Sequence, residues 1–136
     1  MTTILNKSAC DAIIHRINKL TPDAKGLWGK MTVNEMLCHN ADMLRDILGI
    51  RQTEPVTPVE MRPQIIAMVI TENEWDKSLP TFPPYLQGEG GGGTKPTNFD
   101  ADKNALLELI GKFYNTPADL NFFSWRLRGF VKRAKR

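Results

Sequence analysis

His39 is the residue whose type and position could do chemistry. An imidazole binds a metal ion through one ring nitrogen, or moves a proton near neutral pH. Asp42 follows His39 by three residues and Glu35 precedes it by four, so all three share one side of a helix. A zinc site needs about three protein donors. The spacing allows both carboxylates to assist His39, and the alternative interpretation is helix capping and a solvated face.

Other candidate ligands are less well placed. His15 falls opposite the apolar stripe of its helix, which favours a solvated side chain. Cys10 and Cys38 form no C-x-x-C spacing, so each is interpreted as a small buried or half-buried apolar residue. Cys38 adjoins His39 but points about 100° away around a helix, so the two do not form a nucleophile–base pair.

The helix that carries His39 has the best-marked boundaries in the chain. Thr32 is a good N-cap, and Glu35 stands three residues later, where its carboxylate can complete a capping box. Gly49 is placed to end the helix in a left-handed conformation. The apolar face between them comprises Val33, Met36, Leu37, Ala41, Leu44, Ile47 and Leu48.

His39 lies at the rim of this apolar face, near Met36 and Met43. Asn40 falls inside the face, where a buried amide would line a pocket or fix the packing. Trp28 could wall a pocket or act as a hydrophobic staple before the Thr32 cap.

The remaining elements predict an all-α protein. Helices are expected over about residues 8–20, 59–76 and 100–113, and no hairpin signal is present. The apolar run 65–70 (IIAMVI) also fits a buried strand, and the acidic residues on either side of it favour the helix. A long irregular segment, 77–99, separates the last two of these helices. Its glycine run, 88–93, lacks the Lys-Ser/Thr pair of a phosphate-binding loop and predicts a flexible loop tip.

Length and composition fit one domain over residues 1–136. The net charge of +3 is uneven, because residues 126–136 hold six basic and no acidic residues, which leaves 12 basic against 15 acidic elsewhere. A nucleic-acid surface spread over the body of the protein is therefore not expected.

No apolar run is long enough to span a membrane and no signal peptide is evident, so a cytoplasmic location is predicted.

Two stretches carry a family resemblance. Residues 20–32 (LTPDAKGLWGKMT) and 36–42 (MLCHNAD) resemble the DinB-like (YfiT-type) superfamily, in particular one of its branches of unknown function. Residues 79–81 (LPT), 96–99 (PTNF) and 106–113 (LLELIGKF) are similar to the same branch. The resemblance covers about residues 8–114.

The resemblance implies a four-helix bundle with up-down-down-up topology and a long loop between helices three and four, often as a homodimer. It also implies a divalent metal such as zinc or nickel, commonly held by three histidines, one of them at the position of His39. Asp42 is a weaker candidate ligand, and the pocket candidates are Trp28, Met36, Asn40 and Met43. Some relatives are thiol-dependent transferases or isomerases acting on small molecules.

The end of the chain departs from this pattern. No histidine follows Phe113, where the family usually supplies its other two ligands, and residues 118–136 form a divergent basic tail. We therefore expect a degenerate or incomplete divalent-metal site around His39. The alternative is an active metal-dependent transferase or hydrolase with His39 as a ligand, acting on a small molecule that the sequence does not identify. A third hypothesis is a binding module that uses the basic tail.

Overall fold

The computed structural model describes residues 6–53, 58–61, 63, 64, 67, 77 and 80–116. Within them the chain forms three α-helices with defined bounds, α1 (Lys7–Asn18), α2 (Val33–Ile47) and α3 (Phe99–Asn115). Residues 63, 64 and 67 are also α-helical and fall within the predicted third helix. Two short 3-10 helices lie at Val59–Met61 and Pro83–Tyr85. No strand occurs in these ranges, so the predicted all-α class is confirmed for the described part of the chain.

The local signals that bound α2 act as predicted. The Glu35 backbone N–H donates to the Thr32 hydroxyl at 3.2 Å, and the Thr32 N–H donates to the Glu35 carboxylate at 2.8 Å. This reciprocal pair is a capping box, which satisfies two backbone donors that the first turn leaves free. Gly49 ends the helix with a φ of 72°, in the left-handed region that glycine enters without strain.

Asparagine side chains cap the other two helices. The Asn6 side chain accepts hydrogen bonds from the Ser8 and Ala9 N–H groups at the start of α1. The Asn98 carboxamide oxygen accepts from the Ala101 N–H at 2.9 Å at the start of α3. Both helices therefore begin within one or two residues of their predicted positions.

In the described part of the chain the apolar core lies between α2 and α3, which pack extensively against each other, and α1 packs against α3. On α3 the buried residues Leu106, Leu109 and Ile110 recur at helical spacing, so they form one stripe. Among the described residues, the buried apolar cluster comprises Cys10, Val33, Leu37, Ala41, Leu44, Leu106, Leu109 and Ile110.

The chain divides into two compact units. The first unit, Met1–Thr53 with Trp75–Asn115, contains α1, α2, α3 and the 3-10 helix Pro83–Tyr85. The second unit, Glu54–Glu74 with Thr116–Arg136, contains the 3-10 helix Val59–Met61, which overlaps the predicted start of the third helix.

Two sequence predictions fall largely on residues that are not described. Most of the predicted helix over 59–76 lies outside the described residues, and so does the basic tail, 118–136. The four-helix count therefore stays a prediction. No helix among the described residues is both long enough and apolar enough to cross a membrane.

Candidate functional site around His39

His39 is half-buried on α2 and is held by the segment that contains the 3-10 helix Pro83–Tyr85. Its Nδ1 lies 3.0 Å from the backbone carbonyl oxygen of Tyr85, and the two rings meet edge to face with centroids 6.4 Å apart. A carbonyl oxygen only accepts, so Nδ1 must carry the hydrogen and donate it. In the neutral imidazole this places the lone pair on Nε2.

Asp42 is completely buried one turn further along α2. Its carboxylate accepts hydrogen bonds from the Thr94 N–H at 2.7 Å, the Thr94 hydroxyl at 2.6 Å and Arg45 at 3.0 Å. It also forms an ion pair with Arg51 at 3.0 Å. Both oxygens are thus occupied, as a carboxylate without solvent requires.

Arg51 extends these contacts into the segment that covers His39. Its Nη2 donates to the backbone oxygens of Pro84 and Gly92, both at 2.7 Å. Its guanidinium lies 5.8 Å from the centroid of the Tyr85 ring, within the range of a cation–π contact. We refer to Asp42, Arg45, Arg51 and Thr94 as the Asp42 cluster. Its hydrogen bonds join residues 83–94 to α2.

The glycine run is part of this packed segment. Gly88 and Gly90 have φ values of 90° and 74°, so they supply turns that other residues enter only with strain. A Cβ on Gly91 would collide with the Leu86 carbonyl oxygen, and one on Gly92 would lie 3.0 Å from the Pro83 oxygen. The run is therefore more closely packed than the flexible loop tip that its composition predicts.

A second buried carboxylate lies on α3, beside Cys38. Asp102 accepts from the Thr97 hydroxyl at 2.9 Å and from the Asn34 amide at 3.2 Å. Burial first, and then the negative charge of Asp102 and its hydrogen bond with the thiol, raise the pKa of Cys38 to about 11. At neutral pH Cys38 is thus a protonated thiol that donates to Asp102, and it is a poor nucleophile.

Asp46 is a third buried carboxylate, 1% exposed, and the Thr53 hydroxyl donates to it at 2.9 Å. Sequence reasoning missed its role. Cys38, Asp42 and Asp46 follow one another at intervals of four, so they form a single buried polar line beside the apolar stripe of α2. That spacing is the signal that could have identified the line.

The pocket candidates differ in how far they are exposed. The side chains of Trp28 and Met43 are 61% and 43% exposed. Met36 packs against the core, and the Asn40 amide donates to the Met36 carbonyl oxygen at 2.8 Å. Asn40 itself is exposed, so its predicted place inside the apolar face is wrong.

The donors available for a metal ion are few in the described part of the chain. No group of three or more His, Cys, Asp or Glu side chains that could hold a metal occurs there. His39 offers Nε2, whereas the Glu35 carboxylate serves the capping box and the Asp42 carboxylate serves the Asp42 cluster. The two carboxylates that the sequence spacing offers to His39 are therefore both engaged in other contacts.

Comparison with protein-family models, with curated proteins and with solved structures found no match to the chain. The resemblance over residues 20–32 and 36–42 therefore stays a prediction.

Proposed function

We propose that the chain is a DinB-like four-helix-bundle protein, of up-down-down-up topology, in which the metal position is reduced to one histidine donor. The Asp42 contacts support this proposal most directly. Asp42 is the carboxylate best placed by sequence to assist His39, and its carboxylate is used instead to hold residues 83–94 on α2.

The charges around Asp42 oppose its use as a metal ligand. Arg45 and Arg51 each place a guanidinium nitrogen 3.0 Å from its carboxylate oxygens, and like charges repel strongly where water is excluded. A divalent cation at the same oxygens would face this repulsion. It would also have to displace the two hydrogen bonds that Thr94 donates to the carboxylate.

Metal analysis tests the proposal. Protein purified without a histidine tag and dialysed against zinc or nickel should retain well under one equivalent of metal. His39→Ala should leave that amount unchanged. One tightly bound equivalent that disappears in His39→Ala would overturn the proposal.

A second candidate function rests on the hydrogen bond between His39 Nδ1 and the Tyr85 carbonyl oxygen at 3.0 Å. Metal-binding histidines almost always donate their other ring N–H to such an acceptor, which fixes the tautomer and the ring orientation. This observation favours a metal-dependent transferase or hydrolase in which His39 binds the ion through Nε2. The remaining donors would be carboxylates or would come from a second copy of the chain.

His15 provides a matched control for the second candidate, because it is the other histidine of the chain and is exposed on α1. If the second candidate is correct, a zinc titration should show saturable binding that His39→Ala removes and His15→Ala retains. Equal loss in both variants would indicate adventitious surface binding and contradict it. Sedimentation of the metal-loaded protein would show whether a homodimer completes the site.

A further inference from the structure

The connection between α1 and α2 presents three apolar side chains to solvent. We call residues 25–31 the tip loop. Within it Leu27 is 101% exposed, Trp28 is 61% exposed and Met31 is 39% exposed. Single exposed apolar residues are common on protein surfaces. Three within five consecutive positions make a local apolar patch, which is typical of an interaction surface.

Two lysines accompany this patch, Lys25 before Leu27 and Lys30 between Trp28 and Met31. Lys25 and Lys30 are exposed, and neither has an ion-pair partner among the described residues. The acidic residues nearest in sequence are Asp23 and Glu35, which lie outside the tip loop. The Glu35 carboxylate is directed to the Thr32 N–H at 2.8 Å. The tip loop therefore combines three exposed apolar side chains with two positive charges.

The backbone of the tip loop is shaped by glycine. Gly29 has a φ of 85°, which allows the chain to turn directly after Trp28. A Cβ built on Gly29 would meet nothing within 4 Å, so this glycine serves the conformation of an open loop and not a close packing contact. Leu27 and Trp28 are thus presented at a turn that faces solvent.

We propose that the tip loop binds the surface of an anionic lipid bilayer, with Leu27 and Trp28 at headgroup depth and Lys25 and Lys30 near the lipid phosphates. Tryptophan favours the membrane–water interface because its ring is apolar and its N–H is polar. Lysines close to an anionic leaflet add a favourable electrostatic contribution.

The same charges disfavour a second copy of the chain as the occupant. A two-fold contact between tip loops would bring four lysines together, and like charges across an interface repel. A bilayer containing phosphatidylserine has the complementary sign. The cytoplasmic leaflet carries such lipids, which agrees with the location predicted from the sequence.

Vesicle binding by the full-length protein tests the proposal. Binding to vesicles of phosphatidylcholine with 30% phosphatidylserine should exceed binding to phosphatidylcholine alone. Leu27→Ser and Trp28→Ser together should weaken it about tenfold or more. Lys25→Gln and Lys30→Gln together should weaken it by a similar factor and reduce its salt dependence. Ile50→Ser is the matched control, because Ile50 is a 58% exposed aliphatic residue outside the tip loop, and it should bind as the unmodified protein does.

The basic tail, 126–136, is present in every variant, so binding that survives in Leu27→Ser/Trp28→Ser would assign the membrane contact to the tail and overturn the proposal. A blue shift of Trp28 fluorescence on vesicle addition, measured with Trp75 and Trp125 replaced by phenylalanine, would support insertion. No binding to anionic vesicles would also overturn the proposal. So would a concentration-dependent dimer that Leu27→Ser/Trp28→Ser abolishes, since that result would identify a second copy as the occupant.

Discussion

Asp42 is a candidate metal ligand by sequence, and in the structure its carboxylate makes contacts that stabilise the fold. A lone buried carboxylate is costly, because burial removes its hydration. Two arginines and Thr94 compensate for that loss. Arg45 belongs to α2 itself, whereas Arg51 and Thr94 join α2 to later parts of the chain. His39, three residues earlier, contacts the same covering segment through Tyr85, so both residues depend on how that segment is held.

Replacing Asp42 should therefore destabilise the protein strongly. Asp42→Asn removes the negative charge and leaves Arg45 and Arg51 facing a neutral amide, with an expected loss of about 3 kcal/mol in the free energy of unfolding. Asp11→Asn is the control, because Asp11 pairs with Lys7 on the surface and its side chain is 59% exposed. That change should cost less than about 1 kcal/mol. Urea unfolding of both variants measures the difference, and equal losses would contradict the role of Asp42.

The Cys38 thiol should be unreactive at neutral pH and should make stability fall in alkali. Its folded-state pKa of about 11 lies above the ordinary 9.0, so the unfolded chain releases this proton first. The stabilising contribution is intact below pH 9 and is lost as the pH rises towards 11.

Two measurements check this expectation. In a Cys10→Ala background, a thiol reagent at pH 8 should label Cys38 only after denaturant is added. Cys38→Ser should show a smaller decrease in unfolding free energy between pH 9 and 11 than the unmodified protein. Rapid labelling of the native protein would show that the thiol is neither buried nor held by Asp102.

At the scale of the element, local signals predicted α2 well and the glycine run poorly. The Thr32–Glu35 capping box and Gly49 act within a few residues, so the sequence contains all the information that they need. The packing of the glycine run depends on the Leu86 backbone, and its attachment depends on a Thr94–Asp42 pair 52 residues apart. No local pattern contains these contacts.

Two glycine-to-alanine changes separate a packed glycine from an open one. Gly91→Ala should destabilise the protein by about 1–3 kcal/mol, because its Cβ would collide with the Leu86 carbonyl oxygen and the backbone would have to shift. Gly111→Ala should stabilise it by up to about 1 kcal/mol, because Gly111 lies inside α3 with nothing within 4 Å of the new Cβ. Thermal melts compare them directly, and a neutral Gly91→Ala would show that residues 83–94 are loosely held.

For the whole molecule, periodicity was sufficient for the helical class and for the positions of α1, α2 and α3, because an apolar stripe at helical spacing must face a core. It was insufficient for the candidate site. His39 could be singled out by residue type and helix side, whereas its Tyr85 contact joins residues 46 positions apart. Asp46 was missed because a carboxylate in a helix is expected on the surface when only the sequence is known. Its contact with Thr53, which accompanies its burial, is evident only in the structure.

Exposure also separates the residues that hold the molecule together from those that are free to bind something else. Leu37 is 0% exposed on α2 and belongs to the core cluster, whereas Leu27 is 101% exposed in the tip loop. Leu37→Ala should cost about 2–5 kcal/mol, because it removes buried methyl groups and leaves a cavity. Leu27→Ala should change the free energy of unfolding by less than about 0.5 kcal/mol, as expected for a surface site.

Denaturant titration of the two leucine variants in the absence of lipid makes the comparison, because the substitution is the same in both. A large loss in Leu27→Ala would mean that the tip loop is buried in the folded protein, which would also remove the basis for its proposed contact with a bilayer. A small loss leaves the apolar surface of Leu27 without a role in folding. That surface is then available for a partner.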